Sequence, residues 1–288
     1  MPPRVSIRPH DEPPPWRMPV LKIGQHHGIS LQIAFETLYI IFAHVYGFRL
    51  PAPYNYLFFF FHTVIKFPEV IYVDAMTSNW FGRNVENLRK AGFSDLQILL
   101  IMNSNCINSQ LLGFLMMNYV CTDPEIFSLS YFYAHFNATM ILRILASLAL
   151  SETLFCAAHS LMHKNEFLAK YHVMHHCCVC PTWTTNLVFH PLDLSMEFGG
   201  PALGLLGLHF GVFQDQATFL LTYLIFQLWY AYDHEPYLNL YHIQHHQQCD
   251  SLYVIYTNFR GDPKHNRSRG VMQDMGLQWP SLHSKKST

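Results

Sequence analysis

Three short histidine runs constrain this chain more than any other feature. They read His159-Ser-Leu-Met-His163, His172-Val-Met-His175-His176 and His242-Ile-Gln-His245-His246, with His190 and His234 standing between the second and third. Residues at i, i+3 and i+4 share one face of a helix, so each run presents two or three imidazoles in one direction. Imidazole is a good ligand for iron, zinc, copper or nickel, and ordinary core packing has no use for clusters of it. A single ion takes about four to six ligands, so nine or ten histidines imply two ions. The fold must therefore carry separate helical segments to one place. The other histidines (His10, His26, His27, His44, His62, His135, His209, His265 and His283) lack the repeat and are expected at the surface or as satisfied interior groups. His209 is the exception to watch, because its segment adjoins the site.

Composition says where such a site lives. The 288 residues are 50% hydrophobic and 15% aromatic, and only 13% charged, against about 25% in an average soluble domain. The mean hydropathy of +0.10 is low for a membrane protein, but histidines and polar ends pull it down. The net charge of −1 gives no basic field for nucleic acid. Four stretches, about 29–48, 54–73, 96–120 and 129–150, approach the roughly 20 apolar residues a bilayer crossing needs. Two more, about 194–213 and 217–232, are shorter or broken by glycine and proline and read as a hairpin that dips in and returns. Glu36, His44, His62, Lys66 and Arg143 fall in or near these stretches, and charges at that depth face protein or a cavity. The expected fold is an all-α integral membrane protein: about four transmembrane helices, a shorter helical hairpin, and a cytosolic helical cap carrying the histidine-rich two-metal site. The competing reading is a large soluble protein with buried helices.

Three regions follow: a Pro-rich cytosolic arm over 1–28, a membrane catalytic domain over 29–250, and a cytosolic tail over 251–288. With the amino terminus in the cytosol, loop 74–95 is cytosolic and carries Arg83, Arg89 and Lys90, whereas turn 121–127 carries Asp123 and Glu125. That is the positive-inside bias. All three histidine runs then lie on the cytosolic side, as a shared site requires. Lys285 and Lys286, fourth and third from the carboxyl end, resemble a dilysine retrieval signal of endoplasmic reticulum membrane proteins; the plain alternative is a basic solvated tail.

The H-x3-H, H-x2-H-H and H-x2-H-H boxes resemble the fatty acid hydroxylase and sterol desaturase superfamily. Eight residues separate His163 from His172, and 65 separate His176 from His242, a compactness unlike that of the acyl-lipid desaturases. His190-Pro-Leu-Asp193 is similar to that superfamily's H-P-x-D/E element, and Asp233-His234 with Tyr237 to its D-H-x-G-Y element. The run Asn165-Glu-Phe-Leu-Ala-Lys-Tyr-His172 is similar to the link between boxes in the sphingolipid hydroxylase and sterol branches. Departures are Ser160, where Arg or Trp is common, and Thr257-Asn258-Phe259-Arg260 in place of an Asn-Tyr/Phe-Gly element. The likeness covers about residues 129–250.

The resemblance implies His159, His163, His172, His175, His176, His234, His242, His245 and His246 as ligands and catalytic residues, with His190 a direct ligand, a partner that supports the ligands from behind, or a helix-start residue before Pro191. Two non-heme irons would be the cofactor, O₂ the co-substrate, and cytochrome b5 or its reductase the electron donor; zinc could replace iron in isolated protein. Each ligating imidazole must be neutral, its second nitrogen oriented by a carboxylate or carbonyl; Glu152, Asp193, Asp233 and Asp250 are near enough in sequence. The expected reaction is hydroxylation of a membrane lipid (a sterol, sphingoid base or fatty acyl chain) at an unactivated carbon. Desaturation is the alternative outcome at the same centre. A non-catalytic metal-binding protein, such as a zinc carrier, is the alternative outside enzymology. Cys177-Cys178-Val-Cys180 lacks a spaced second pair and makes a poor zinc motif.

Overall fold

The computed structural model describes residues 25–77, 80–178 and 181–234, with His242, His245 and His246 of the third run. The first 24 residues, Tyr237, Asp250, Cys180, the Asn258 element and the tail with Lys285 and Lys286 lie outside the described residues. Ten α-helices follow one another, and no strand occurs among the described residues. They are α1 (Gln25–Val45), α2 (Tyr54–Thr77), α3 (Trp80–Lys90), α4 (Asp95–Leu115), α5 (Leu129–His135), α6 (Ala138–Lys164), α7 (Glu166–His176), α8 (Pro191–Leu194), α9 (Gly200–Leu208) and α10 (Gln216–Tyr232).

Local chemistry sets these boundaries. Ser94 opens α4 through a capping box with Gln97, which satisfies two otherwise orphaned amide donors. A wider π turn, Met116–Val120, extends α4. Asn165 both ends α6 and starts α7, where its side chain accepts from the amides of Phe167 and Leu168. One polar side chain thus serves two helix ends, and α7 turns back along α6 with no linker between them. Pro191 begins α8, where its fixed φ and missing amide cost nothing. The turn between α9 and α10 passes through Gln214 in the left-handed region at φ 50°, and Asp215 caps α10.

Helix α6 is the axis of the molecule, packed against α9, α7 and α10. Gly204 permits the α9 approach: a Cβ there would lie 2.4 Å from the Leu154 Cδ1 atom. One apolar core holds Phe48, Phe114, Phe155, Phe198, Phe226 and Tyr230. A second, with Val70, Leu88, Met102, Val173 and Met174, lies beneath α7. Each large side chain fully withdrawn from water contributes about 2 kcal/mol.

Among the described residues, two helical segments, Asp95–Val120 and Ala138–Lys164, are long and apolar enough to cross a membrane. The sequence suggested four such stretches. Helices α1 and α2 form close to two of the other expected stretches, with Glu36 on α1 and Lys66 on α2. The stretch at 129–150 is corrected: it breaks at Phe136 and Asn137, whose backbones are extended. Asn137 caps α6 by accepting from the Met140 amide, so the helix starts later and runs on to Lys164. Consequently His159 and His163 lie on the last turns of the apolar helix itself.

Candidate metal centre

Nine histidines come together in two adjoining groups. Ligand nitrogens of His159, His163, His172, His176 and His245 lie within 4.8 Å of one another, and so do those of His175, His234, His242 and His246. All nine side chains are buried, at 0–2% exposure. The division follows from helix geometry. Successive residues turn by about 100°, so i and i+4 nearly eclipse while i+3 and i+4 diverge by a full step. His172 and His176 therefore face the first group and His175 the second. In the third run the sense is reversed: His242 and His246 face the second group and His245 the first. Each adjacent histidine pair straddles both groups, with ring centroids 5.9 Å apart in His175–His176 and in His245–His246. The first run lacks such a pair and serves the first group alone. His234, at the end of α10, completes the second.

The nitrogens are arranged for a cation. The Nε2 atom of His163 lies 3.0–3.1 Å from the Nε2 atoms of His159, His172, His176 and His245. In the second group His234 Nε2 lies 3.0–3.1 Å from those of His175, His242 and His246. One nitrogen cannot make hydrogen bonds to four others. Several of these nitrogens also carry no proton to share. His175 Nδ1–H donates to the Val188 carbonyl at 3.1 Å, and His172 Nδ1–H to Asp193 Oδ2 at 3.0 Å. His234 Nδ1 faces both Asn186 Oδ1 and Asp233 Oδ1 at 2.5 Å. Each such bond leaves the Nε2 lone pair pointing inward. Converging buried lone pairs repel unless a positive ion lies among them. Separations near 3.0 Å match ligands about 2.1 Å from one ion at right angles; a tetrahedron at that distance would space them by about 3.4 Å. Each group could hold a metal ion.

Electrostatics keep the ligands neutral. Burial holds His175, His176, His234, His242 and His246 well below the usual imidazole value, and neighbouring imidazoles act in the same direction. Burial pushes the Asp233 carboxyl up to about 7, opposed by His242 and by the His234 amide.

Sequence reasoning missed three supporting residues. Glu197 is 1% exposed, with Oε1 at 3.4 Å from His172 Nδ1 and 3.9 Å from His159 Nε2. It lies one turn past Asp193, a spacing that could have drawn attention to it. Asn186 orients His234 and donates to the Ala231 carbonyl at 3.0 Å. Asn105, inside the apolar α4, donates to the Leu187 and Phe189 carbonyls at 2.9 and 2.8 Å. It pins the backbone on both sides of the carbonyl that orients His175. Nothing in the sequence marks these two asparagines.

Other expected contributors fall elsewhere. His190 is outside both groups: its Nδ1 accepts from the Leu192 amide at 3.2 Å, capping α8, and its ring lies against Tyr171. This is the helix-start role. His209 packs on Phe219 in the turn between α9 and α10, and Glu152 is outside the described clusters. Burial pushes the Cys177 thiol up to about 12, and neither Cys177 nor Cys178 belongs to a described ligand cluster. His44 and His62 are satisfied interior groups, and the half-buried His135 bonds the Tyr131 carbonyl. Compared with protein-family models, with curated proteins and with solved structures, the chain matches none.

Proposed function

We propose that this chain is a membrane oxygenase that hydroxylates a lipid at an unactivated carbon, using O₂ and two electrons. The observation that carries this reading is the pair of adjoining buried histidine groups, five and four strong, whose lone pairs converge. Two irons held there would supply what side chains cannot, the activation of O₂ for attack on a C–H bond. The chain's own part is to hold neutral imidazoles, orient them through Asp193, Val188 and Asn186, and exclude water from the centre. A carrier needs ligands spread along a path across the membrane; here nine form a single enclosed centre, which favours turnover over transport.

Membrane embedding with four crossings is part of the proposal. Helices α1 and α2 present Leu38, Phe42, Phe60, Phe61, Val64 and Ile65 outward. The charges that lower their hydropathy, Glu36 and Lys66, are buried against each other. Their outer faces are thus as apolar as those of α4 and α6. This arrangement suits endoplasmic reticulum residence with both termini cytosolic and electrons arriving from cytochrome b5 or its reductase at the histidine face.

Metal analysis of purified protein tests the reading, together with O₂ consumption and comparative lipidomics of cells with and without the gene. Two irons per chain and lipids gaining one oxygen are expected. Exchangeable zinc with no oxidised lipid would overturn it, and loss of two hydrogens would redirect it to desaturation.

A further inference from the structure

A cavity of about 320 Å³ lies between α1, α2, α4 and α10. It is linked to the metal centre through Asn186, which lines it and also orients His234. Ile40, Leu194 and Phe198 supply apolar wall. On one side, however, the wall holds an ion pair: Lys66 Nζ to Glu36 Oε2 at 2.5 Å, with the residues 9% and 1% exposed. Beside it, His62 donates to Gln110 Oε1 at 2.6 Å and accepts from the Tyr39 hydroxyl at 2.7 Å.

An ion pair at this depth is a poor means of joining two helices. Desolvating both charges costs as much as their attraction returns, and packed apolar residues serve equally well. A pair facing a cavity has another use, which is to meet a polar group on a ligand. We propose that Glu36 and Lys66 bind the head group of the lipid, and that this head is an uncharged hydroxyl or amide. Such a group donates to the Glu36 carboxylate and accepts from the Lys66 ammonium at once. A carboxylate or phosphate head would be drawn to Lys66 only to meet Glu36 beside it, two like charges in a dry cavity. The Glu36 carboxylate on that wall therefore selects neutral lipids over free fatty acids. This inference rests on the oxygenase reading and names its substrate class.

Oleyl alcohol and oleate share one chain and differ only in the head, so they serve as probes for the full-length protein in nanodiscs. Equilibrium binding of the tritiated compounds should favour the alcohol by about tenfold or more, the worth of one hydrogen bond to a charged group. The double variant Glu36→Gln with Lys66→Met, which removes both charges together, should bind the alcohol about tenfold more weakly and keep its metal content. Oleate bound as tightly as the alcohol by the unaltered protein overturns the inference, whatever the variant does. So does a variant that holds the alcohol undiminished. If the head-group preference is found but the iron-loaded protein oxidises no lipid, the oxygenase reading falls and the binding site stands. Lipid oxidation without the preference removes the head-group site alone.

Discussion

His163 occupies the point on which four other imidazoles converge, each Nε2 within 3.1 Å of its own. His175 holds the corresponding contact between the second group and the backbone at Val188. His245→Ala and His175→Ala should therefore each lower bound metal, one from each group, and abolish oxidised product. Iron content and product measured on both variants check this; wild-type turnover in either would defeat the ligand assignment. Asp193→Asn keeps the shape but weakens the acceptor of the His172 proton. Loss of such a partner commonly costs about 10- to 100-fold in metal affinity, readable by competition with a chelating dye. Unchanged affinity would assign Asp193 to packing alone.

Among the helices, the α6–α7 corner depends on one side chain. Asn165 accepts from two amides at the start of α7, and a lost cap costs about 1 kcal/mol. Asn165→Ala should lower the thermal midpoint by that energy and weaken the five-histidine group, since this corner brings His159 and His163 against His172 and His176. Metal loss confined to the other group would contradict the account. Asn105→Leu acts at a distance, because it leaves the Leu187 and Phe189 carbonyls without their α4 donor. The expected cost is about 1–3 kcal/mol of stability, with metal lost first from the group that contains His175. Calorimetry and metal titration together read both effects.

For the whole molecule, the centre links stability to pH. The five imidazoles of His175, His176, His234, His242 and His246 are held neutral by burial, whereas in the unfolded chain each protonates at an ordinary value near 6.5. Below that value the unfolded chain takes up more protons than the folded one. Stability and metal retention should thus be level above about pH 7 and fall between about pH 6.5 and 5. Thermal midpoints and metal content across that range check the sign; a flat profile would mean that the imidazoles are not buried neutral ligands. Chelation at neutral pH should lower the midpoint as well, because it exposes the lone pairs to one another.

Histidine spacing by itself marked three helical runs for one site, since i and i+4 lie on one face of a helix whatever the surroundings. It also fixed which residues could serve, because an H-x2-H-H run can only offer two directions. The sequence did not tell which direction leads to which group; only the tertiary placement of α7 and the third run decided that His245 joins the first group and His246 the second. Nor could it separate His190 from the ligands, because a helix cap and a metal ligand use the same nitrogen and differ only in what lies in front of it. Glu197, Asn186 and Asn105 act through contacts between segments distant along the chain or turned by a π bulge, and such contacts leave no period to read. Glu36 and Lys66 looked like interruptions of two apolar stretches; their facing positions on neighbouring helices joined the two charges in an ion pair.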